Sequence, residues 1–304
     1  MSAGERPAAV RESVALARYA TARTGGAAEL FARAGSSQEL AELLAWAAAE
    51  RVEVSIVGSG SNLLIADDGV AGLVLKLDGE LAAIEIDGRE AECGGGARLP
   101  KVAALTAAAG LAGLEFGVNI PGTVGGAVRM NANAYGGQLG EVLEWAEVVT
   151  AAGSQRRSPA QLGFAYRSSA LGAGEIVARA RFCLLRSDPQ SVKAALAELR
   201  ARRHEDQPQG IKTFGSTFKN PQDARAEGRT AGLLLAEAGC AGLQVGRARF
   251  SLKHANFVEN TGGASTAEIV ALMAEGRRRV AERFGVWLEP EVQTLGVVRF
   301  PWER

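Results

Sequence analysis

The stretch from Leu114 to Gly140, L-E-F-G-V-N-I-P-G-T-V-G-G-A-V-R-M-N-A-N-A-Y-G-G-Q-L-G, constrains this chain more than any other segment. Glycines and small polar residues crowd around Pro121, and no charge stands between Glu115 and Arg129. Glycine loses the most backbone freedom on ordering, so such a segment gains little by folding for its own sake. Two readings fit these residues taken alone. One is a run of tight turns packed under a sheet. The other is a backbone laid close against a phosphate-bearing guest.

A second short loop bears on that choice. Val52 to Val57 reads as an apolar strand that runs straight into Gly58-Ser59-Gly60-Ser61-Asn62. The third glycine of a dinucleotide fingerprint would fall at Leu63, and Leu63 to Asp67 reads as extended, which argues against a Rossmann unit. Gly58 and Gly60 are expected to take positive φ and turn successive N–H groups inward as an anion nest, with Ser and Asn as further donors. Alone, this loop reads as a plain turn. Paired with Gly122 to Gly126, it is expected to grip one pyrophosphate from two sides, with backbone dipoles in place of lysines.

The remaining punctuation gives the class. Ser36 to Glu39 reads as a capping box opening a helix that runs to Glu50. Leu73 to Leu77 reads as a strand, and Ala82 to Ile86 and Glu90 to Cys93 flank an Asp87-Gly88 hairpin turn. A helix starts near Pro100 and ends at Gly110. Strands are expected at Ala146 to Thr150 and Glu175 to Leu185, and Asp188-Pro189 caps a helix extending to His204. The polar joint Glu205 to Gly210 reads as a domain boundary. Beyond it come a helix at Thr230 to Ala238, a strand at Asn256 to Glu259, a helix boxed by Ser265 and Glu268 that stops before Gly285, and a terminal strand from Val286 to Leu295. Helices and strands do not alternate strictly, so an α+β fold is expected.

Composition excludes several classes. A chain of 304 residues suits two or three compact subdomains. Its formal net charge of zero leaves no field to gather nucleic acid or an acidic membrane. No apolar run approaches a membrane span, and the first residues lack a secretory pattern. Cys93, Cys183 and Cys240 are isolated and odd in number, which fits a reducing cytosol. With His204 and His254 as its only histidines, the chain offers no His-rich metal site.

Six segments in order carry a resemblance: V-G-S-G-S-N-L-L-I-A-D (Val57 to Asp67), I-P-G-T-V-G-G-A (Ile120 to Ala127), Y-R-S-S (Tyr166 to Ser169), G-S-T-F-K-N-P (Gly215 to Pro221), S-L-K-H-A-N-F (Ser251 to Phe257) and L-E-P-E-V-Q-T-L-G (Leu288 to Gly296). Together with R-Y-A-T-A-R-T-G-G at Arg18 to Gly26, they resemble the UDP-N-acetylenolpyruvoylglucosamine reductases of the MurB family. No insertion between Arg167 and Gly215 resembles the longer subtype's tyrosine loop, so the shorter type II subtype is implied. The resemblance implies a two-part FAD-binding region of the PCMH/vanillyl-alcohol-oxidase-like type (1–78 and 79–204) and a smaller α/β substrate-binding domain (205–304) whose last strand returns to the active site.

The reaction so implied is cytoplasmic, metal-free and monomeric. FAD, recharged by NADPH, reduces UDP-N-acetylglucosamine enolpyruvate for peptidoglycan synthesis. Negative charge then spreads over the substrate carboxylate and the carbon beside it, and a fixed, always-protonated Arg suits that charge. Arg167 matches the family's catalytic Arg, Ser216 its proton donor and Glu291 its catalytic Glu, with Glu289 the competing register. Val57, Gly58, Ser59, Gly60, Ser61 and Asn62 match one cofactor loop; Pro121, Gly122, Thr123, Gly125, Gly126 and Ala127 match the other. Tyr166, Lys219 and Asn220 are expected on the substrate, with His254 and Asn256 as supporting polar residues there. Asn133 departs from a common Gly, and is expected to keep a left-handed backbone because Asn tolerates it. Thr213-Phe214, Arg247 and Phe250 also vary the pattern. A flavin oxidase or dehydrogenase of alcohols or lactones would share the loops but not the ordered trio. A non-catalytic nucleotide-binding relative would have no use for the trio.

Overall fold

The computed structural model describes residues 5–303. It is an α+β fold with six α-helices: α1 (Ser37–Ala49), α2 (Leu99–Ala108), α3 (Val124–Arg129), α4 (Pro189–Asp206), α5 (Ala231–Glu237) and α6 (Thr266–Phe284). A five-stranded antiparallel sheet has the order Gly153–Arg157, Leu143–Thr150, Ile176–Cys183, Glu90–Gly94, Ile84–Asp87. A four-stranded sheet has the order Arg11–Ala15, Ala27–Ala34, Val70–Leu77, Val54–Ile56. Two compact units separate. Unit 1 runs through Glu12, Leu30–Ser59 and Gly72–Arg203; unit 2 holds Ser13–Glu29, Gly60–Ala71 and the chain from His204 onward. Most of 1–78 and nearly all of 79–204 fall in unit 1, while Ser13–Glu29 and Gly60–Ala71 fall in unit 2.

Unit 1 is built on two apolar layers. Ser36 Oγ accepts from Glu39 N at 3.2 Å, and the Glu39 carboxylate takes the Gly35 N–H at 2.7 Å. The reciprocal bond therefore falls one residue before the one a capping box predicts. Leu40, Leu43, Leu44 and Ala47 then line one face of α1 and bury against Leu73, Leu75, Val149 and Ile176. Each leucine so buried contributes about 1.5–3 kcal/mol. Beneath these, Val54 runs parallel beside Leu73. On the five-stranded sheet Val148, Ala180 and Phe182 bury against Leu99 and Val102 of α2 and Val124 and Val128 of α3. The hairpin pairs Asp87 with Glu90, leaving Gly88-Arg89 as a two-residue turn.

Unit 2 has its own core, in which Phe214, Phe218, Phe250, Leu234, Leu272, Met273 and Leu288 are fully or nearly fully buried. Ser265 and Glu268 complete the expected capping box of α6. The Asp67 carboxylate adds two further bonds there, accepting from Thr266 N at 2.8 Å and Ala267 N at 2.9 Å. The terminal strand is shorter than expected, Gln293–Leu295, and lies parallel to Leu63–Ile65. Pro290 explains the loss, because it has no N–H to continue a ladder. Its only pairing among the described residues is an isolated bridge to Phe218.

Candidate active site

Gly58 and Ser59 of the first glycine loop meet the second loop within unit 1. A β-carbon on Gly58 would stand 2.5 Å from Thr123 Oγ1, so close approach, not left-handed geometry, requires glycine there. This corrects the expectation for Gly58; Gly60 does take a left-handed φ of 63°. Ser59 Oγ donates to Pro121 O at 2.6 Å and ties the loops together. Lys76 Nζ donates to Gly58 O at 2.7 Å. The sequence reading missed that lysine, whose only signal is a charge near the end of the apolar run L-V-L-K-L.

Not every expected cradle residue offers its amide outward. Val57 N is taken by Leu75 O at 2.9 Å, Gly125 N by Gly95 O at 2.8 Å, and Ala127 N by Thr123 O at 2.8 Å. Gly126 N reaches Thr123 Oγ1 at 3.4 Å, which makes Thr123 the N-cap of α3. These residues shape the cradle rather than line it. What remains is a close, charge-free pair of loops with half-exposed backbone at Gly58, Ser59 and Gly122. That fits the pyrophosphate of a dinucleotide, which backbone N–H dipoles can neutralise.

Arg167 sits in unit 1 at the tip of a two-residue turn. Ala165 N donates to Ser168 O at 3.1 Å and Ser168 N returns a bond to Ala165 O at 3.2 Å. Arg167 takes φ 56°, a left-handed conformation that costs a non-glycine residue about 1–2 kcal/mol. Its Nη1 donates to Asn133 O at 3.0 Å, and its guanidinium lies 5.7 Å from the exposed Tyr166 ring. Tyr166 is exposed and is not packed into the core. Asn133 does not have the left-handed backbone expected of it; Asn131 (φ 40°) and Tyr135 (φ 50°) on either side do. Asn131, fully buried, donates from Nδ2 to Ala165 O at 3.2 Å. Ser169 Oγ donates to Arg129 O at 2.8 Å. The second half of the glycine-rich stretch is thus a scaffold for the Arg167 turn, a role the sequence did not reveal. Burial pulls the Arg129 pKa down and Glu175 pushes it back; its Nη atoms donate to the carbonyls of Leu171, Gly172 and Glu175 at 3.0–3.2 Å.

Ser216 and Glu291 lie on neighbouring segments of unit 2. Ser216 bridges Phe257 on one side, and Thr217 N donates to Asn256 O at 2.8 Å. On the other side Glu291 N donates to Thr217 O, and Lys219 N to Glu289 O, both at 2.9 Å. Ser216 and Glu291 are half-buried, whereas the Glu289 side chain is 75% exposed and pairs with Lys219 Nζ at 3.5 Å. Asn62 reaches the same segment, with Nδ2 donating to Glu291 O at 3.3 Å and Gln293 N donating to Asn62 O at 3.0 Å.

Two supporting residues turn out to be internal. The Asn256 amide is buried and clamps the Phe218 backbone, accepting from N at 2.9 Å and donating to O at 2.8 Å. Those bonds brace the Ser216 segment. His254 Nδ1 accepts from Asn256 N at 3.3 Å, its ring meets Phe257 edge-on, and burial lowers its pKa. Its ring packs against Phe257. Asn220 is exposed, and its Oδ1 accepts from Ala231 N at 3.1 Å. The buried thiols of Cys93 and Cys240, pushed up to about 12 and about 11 by desolvation, are poor nucleophiles. Among the described residues no group of three or more His, Cys, Asp or Glu could hold a metal, and no helix is long and apolar enough to cross a membrane.

Residues 28–158 match the family described as FAD binding domain, and residues 207–295 match the UDP-N-acetylenolpyruvoylglucosamine reductase C-terminal domain. UDP-N-acetylenolpyruvoylglucosamine reductase 2 of Symbiobacterium thermophilum is 42% identical over 298 residues, covering 97% of this chain and 94% of that protein. The reductase of Gluconobacter oxydans is 44% identical over 244 residues, 80% of this chain and 78% of its own length. The crystal structure of the enzyme (MurB) from Thermus caldophilus superposes with a TM-score of 0.82 at 36% identity, over 94% of this chain and 99% of that one.

Proposed function

The chain belongs to the UDP-N-acetylenolpyruvoylglucosamine reductase (MurB) family, and from that premise we propose how its residues divide the work of the reduction. It is an FAD-dependent oxidoreductase of peptidoglycan precursor synthesis, with NADPH as co-substrate. When bound and reduced by NADPH, FAD supplies a hydride from its N5 to the terminal carbon of the enolpyruvyl ether. The loops at Val57 to Asn62 and Pro121 to Ala127 hold the cofactor's pyrophosphate. Gly58, Ser59 and Gly122 offer half-exposed backbone to it, while Val57, Thr123, Gly125, Gly126 and Ala127 keep the loops in register.

Arg167 binds the substrate carboxylate and stabilises the enolate-like charge as it develops. The strain in its backbone suits that role, since left-handed non-glycine residues persist where the surroundings over-determine them. Ser216 donates the proton to the carbon beside the carboxylate. A serine hydroxyl is a weak acid and can do this only when held against a strongly basic enolate. Glu291 orients and stabilises the same intermediate. Lys219 balances phosphate charge of UDP-N-acetylglucosamine enolpyruvate, assisted by Asn220 and Tyr166. Three free cysteines support a cytoplasmic reading.

One observation supports the assignment of Ser216 and Glu291: they stand on neighbouring backbone segments of unit 2 joined by 2.9 Å bonds from Glu291 N to Thr217 O and from Lys219 N to Glu289 O, while the Glu289 side chain is exposed and paired with Lys219. The test separates the half-reactions by stopped flow. Ser216→Ala is expected to leave flavin reduction by NADPH nearly intact and to slow reoxidation by the enolpyruvyl substrate by ~100-fold or more. Glu291→Gln should cripple reoxidation more than Glu289→Gln. Equal loss in both half-reactions, or the reverse order of the two carboxylates, overturns these roles.

A further inference from the structure

The segment that carries Glu291 is held by bonds from other segments, Asn62 among them. Pro290 removes one N–H from it, and the backbone bonds from Lys219 and to Thr217 secure only one edge. The opposite edge presents the Leu288 carbonyl, and Arg277 of α6 meets it: Nε donates to Leu288 O at 2.9 Å. Arg277 stands apart from its neighbours in the Arg277-Arg278-Arg279 run. Arg278 pairs with Glu275 and Glu282, and Arg279 pairs with Glu275. Arg277 instead lies over two indoles, 4.5 Å from the Trp287 ring and 5.0 Å from the Trp302 ring. Trp302 stacks on Phe300 at 4.9 Å, and Phe300 is buried in the core of unit 2. The last residues of the chain therefore anchor an aromatic wall that sets the guanidinium on its carbonyl.

We propose that Arg277 is a positioning residue for Glu291 and that the C-terminal tail acts on the reaction through it. Arg277 touches no reacting atom. By fixing the Leu288 carbonyl, it sets where Glu291 stands three residues on, opposite the strand that holds Ser216. This rests on the role assigned above to Glu291.

The chemistry of the bond gives a sharp test on the FAD-loaded enzyme. A glutamine at 277 places an N–H donor the same number of bonds from the backbone as Arg Nε, without the charge. A lysine keeps the charge and has no donor at that position. Arg277→Leu and Arg277→Lys should slow reoxidation by the enolpyruvyl substrate by about tenfold, the scale of a sub-ångström misplacement. KM, flavin content and reduction by NADPH should stay within about twofold, because the loss is one of transition-state stabilisation alone. Arg277→Gln should restore most of the rate. Trp302→Ala should reproduce part of the loss, and Trp302→Phe little of it. Combined with Glu291→Gln, Arg277→Leu should cost nothing further, since both act through one carboxylate.

Equal loss in both half-reactions, a lysine variant faster than the glutamine variant, or multiplicative loss in the double variant overturns the proposal. Should Arg277→Leu fail to fold, the lysine and glutamine variants decide by themselves. Should Glu291→Gln alone leave reoxidation unchanged, the role of Glu291 falls, and this proposal falls with it. If instead Glu291→Gln is slow and the Arg277 variants are normal, only the positioning role is lost.

Discussion

Gly58→Ala tests the meeting of the two glycine loops with a single methyl group. Gly58 does not occupy the left-handed region, so alanine meets no backbone penalty and the substitution isolates the steric term. Its β-carbon would stand 2.5 Å from Thr123 Oγ1, against 3.4 Å or more for ordinary contact, so one group must move by about 1 Å. Thr123 is buried and its hydroxyl caps α3. Displacing that cap costs about 1 kcal/mol. Overpacking the closed loops costs about 1–3 kcal/mol more. The sum, about 2–4 kcal/mol, is shared between unfolding free energy and FAD affinity; if it fell wholly on affinity, it would weaken binding about 30- to 1,000-fold. Urea unfolding of the apoprotein and flavin-fluorescence titration read the two shares. Thr123→Ala removes the clashing oxygen, so Gly58→Ala/Thr123→Ala should be no worse than Thr123→Ala alone. Refutation is a Gly58→Ala protein with wild-type stability and affinity, or a double variant in which both losses add.

Three further outcomes are expected. Arg167→Gly should abolish turnover yet raise unfolding free energy by about 1 kcal/mol in urea, because it relieves the left-handed strain at φ 56°; a destabilised variant would show that the turn is not strained. Asp67→Ala should lower stability by about 1–2 kcal/mol in the same assay, since α6 loses two charge-assisted caps. His254 has a folded pKa below its ordinary value because it is buried, so the unfolded chain binds the extra proton as pH drops below about 6.5. Its stabilisation is full above that pH and is lost as pH falls toward the folded value; His254→Gln should flatten the fall of the unfolding midpoint between neutral and mildly acid buffer.

What was legible in the chain followed from local chemistry. Capping residues placed α1, α5 and α6 to within a residue or two, because a cap is a bond between positions fixed in sequence. The hairpin at Asp87 to Glu90 was legible for the same reason. The strand Ala27–Ala34 was not, since A-A-E-L-F-A-R-A has neither strand alternation nor β-branched residues, and neighbours in the sheet override that propensity. Gly153–Arg157 is an exposed edge whose polar residues give no apolar signal. The expected terminal strand failed at Pro290. Within the site, several motif residues make structural bonds that their motifs did not reveal. Asn256 and Asn62 carry polar side chains in polar motifs, and nothing in sequence tells a brace from a ligand until the carbonyls they hold are known.

The residues that defy local rules share a logic. Arg167 accepts a backbone conformation that glycine would take without cost. Gly58 and Gly60 forgo side chains beside a strand rich in valine and isoleucine. Pro290 interrupts a strand next to the proposed catalytic carboxylate. Each choice weakens the fold where it stands, and each is surrounded by bonds that compensate: Asn131 and Arg129 behind the Arg167 turn, Ser59 and Lys76 across the glycine loops, Arg277 and Asn62 on the Glu291 segment. Local inconsistency offset by a dense set of specific partners is what a functional site requires, because it fixes geometry that propensity alone would not select. The same reasoning says where substitutions should be most one-sided. Replacing Arg167 by glycine should improve stability while removing activity, whereas replacing its partners Asn131 and Arg129 should lower both.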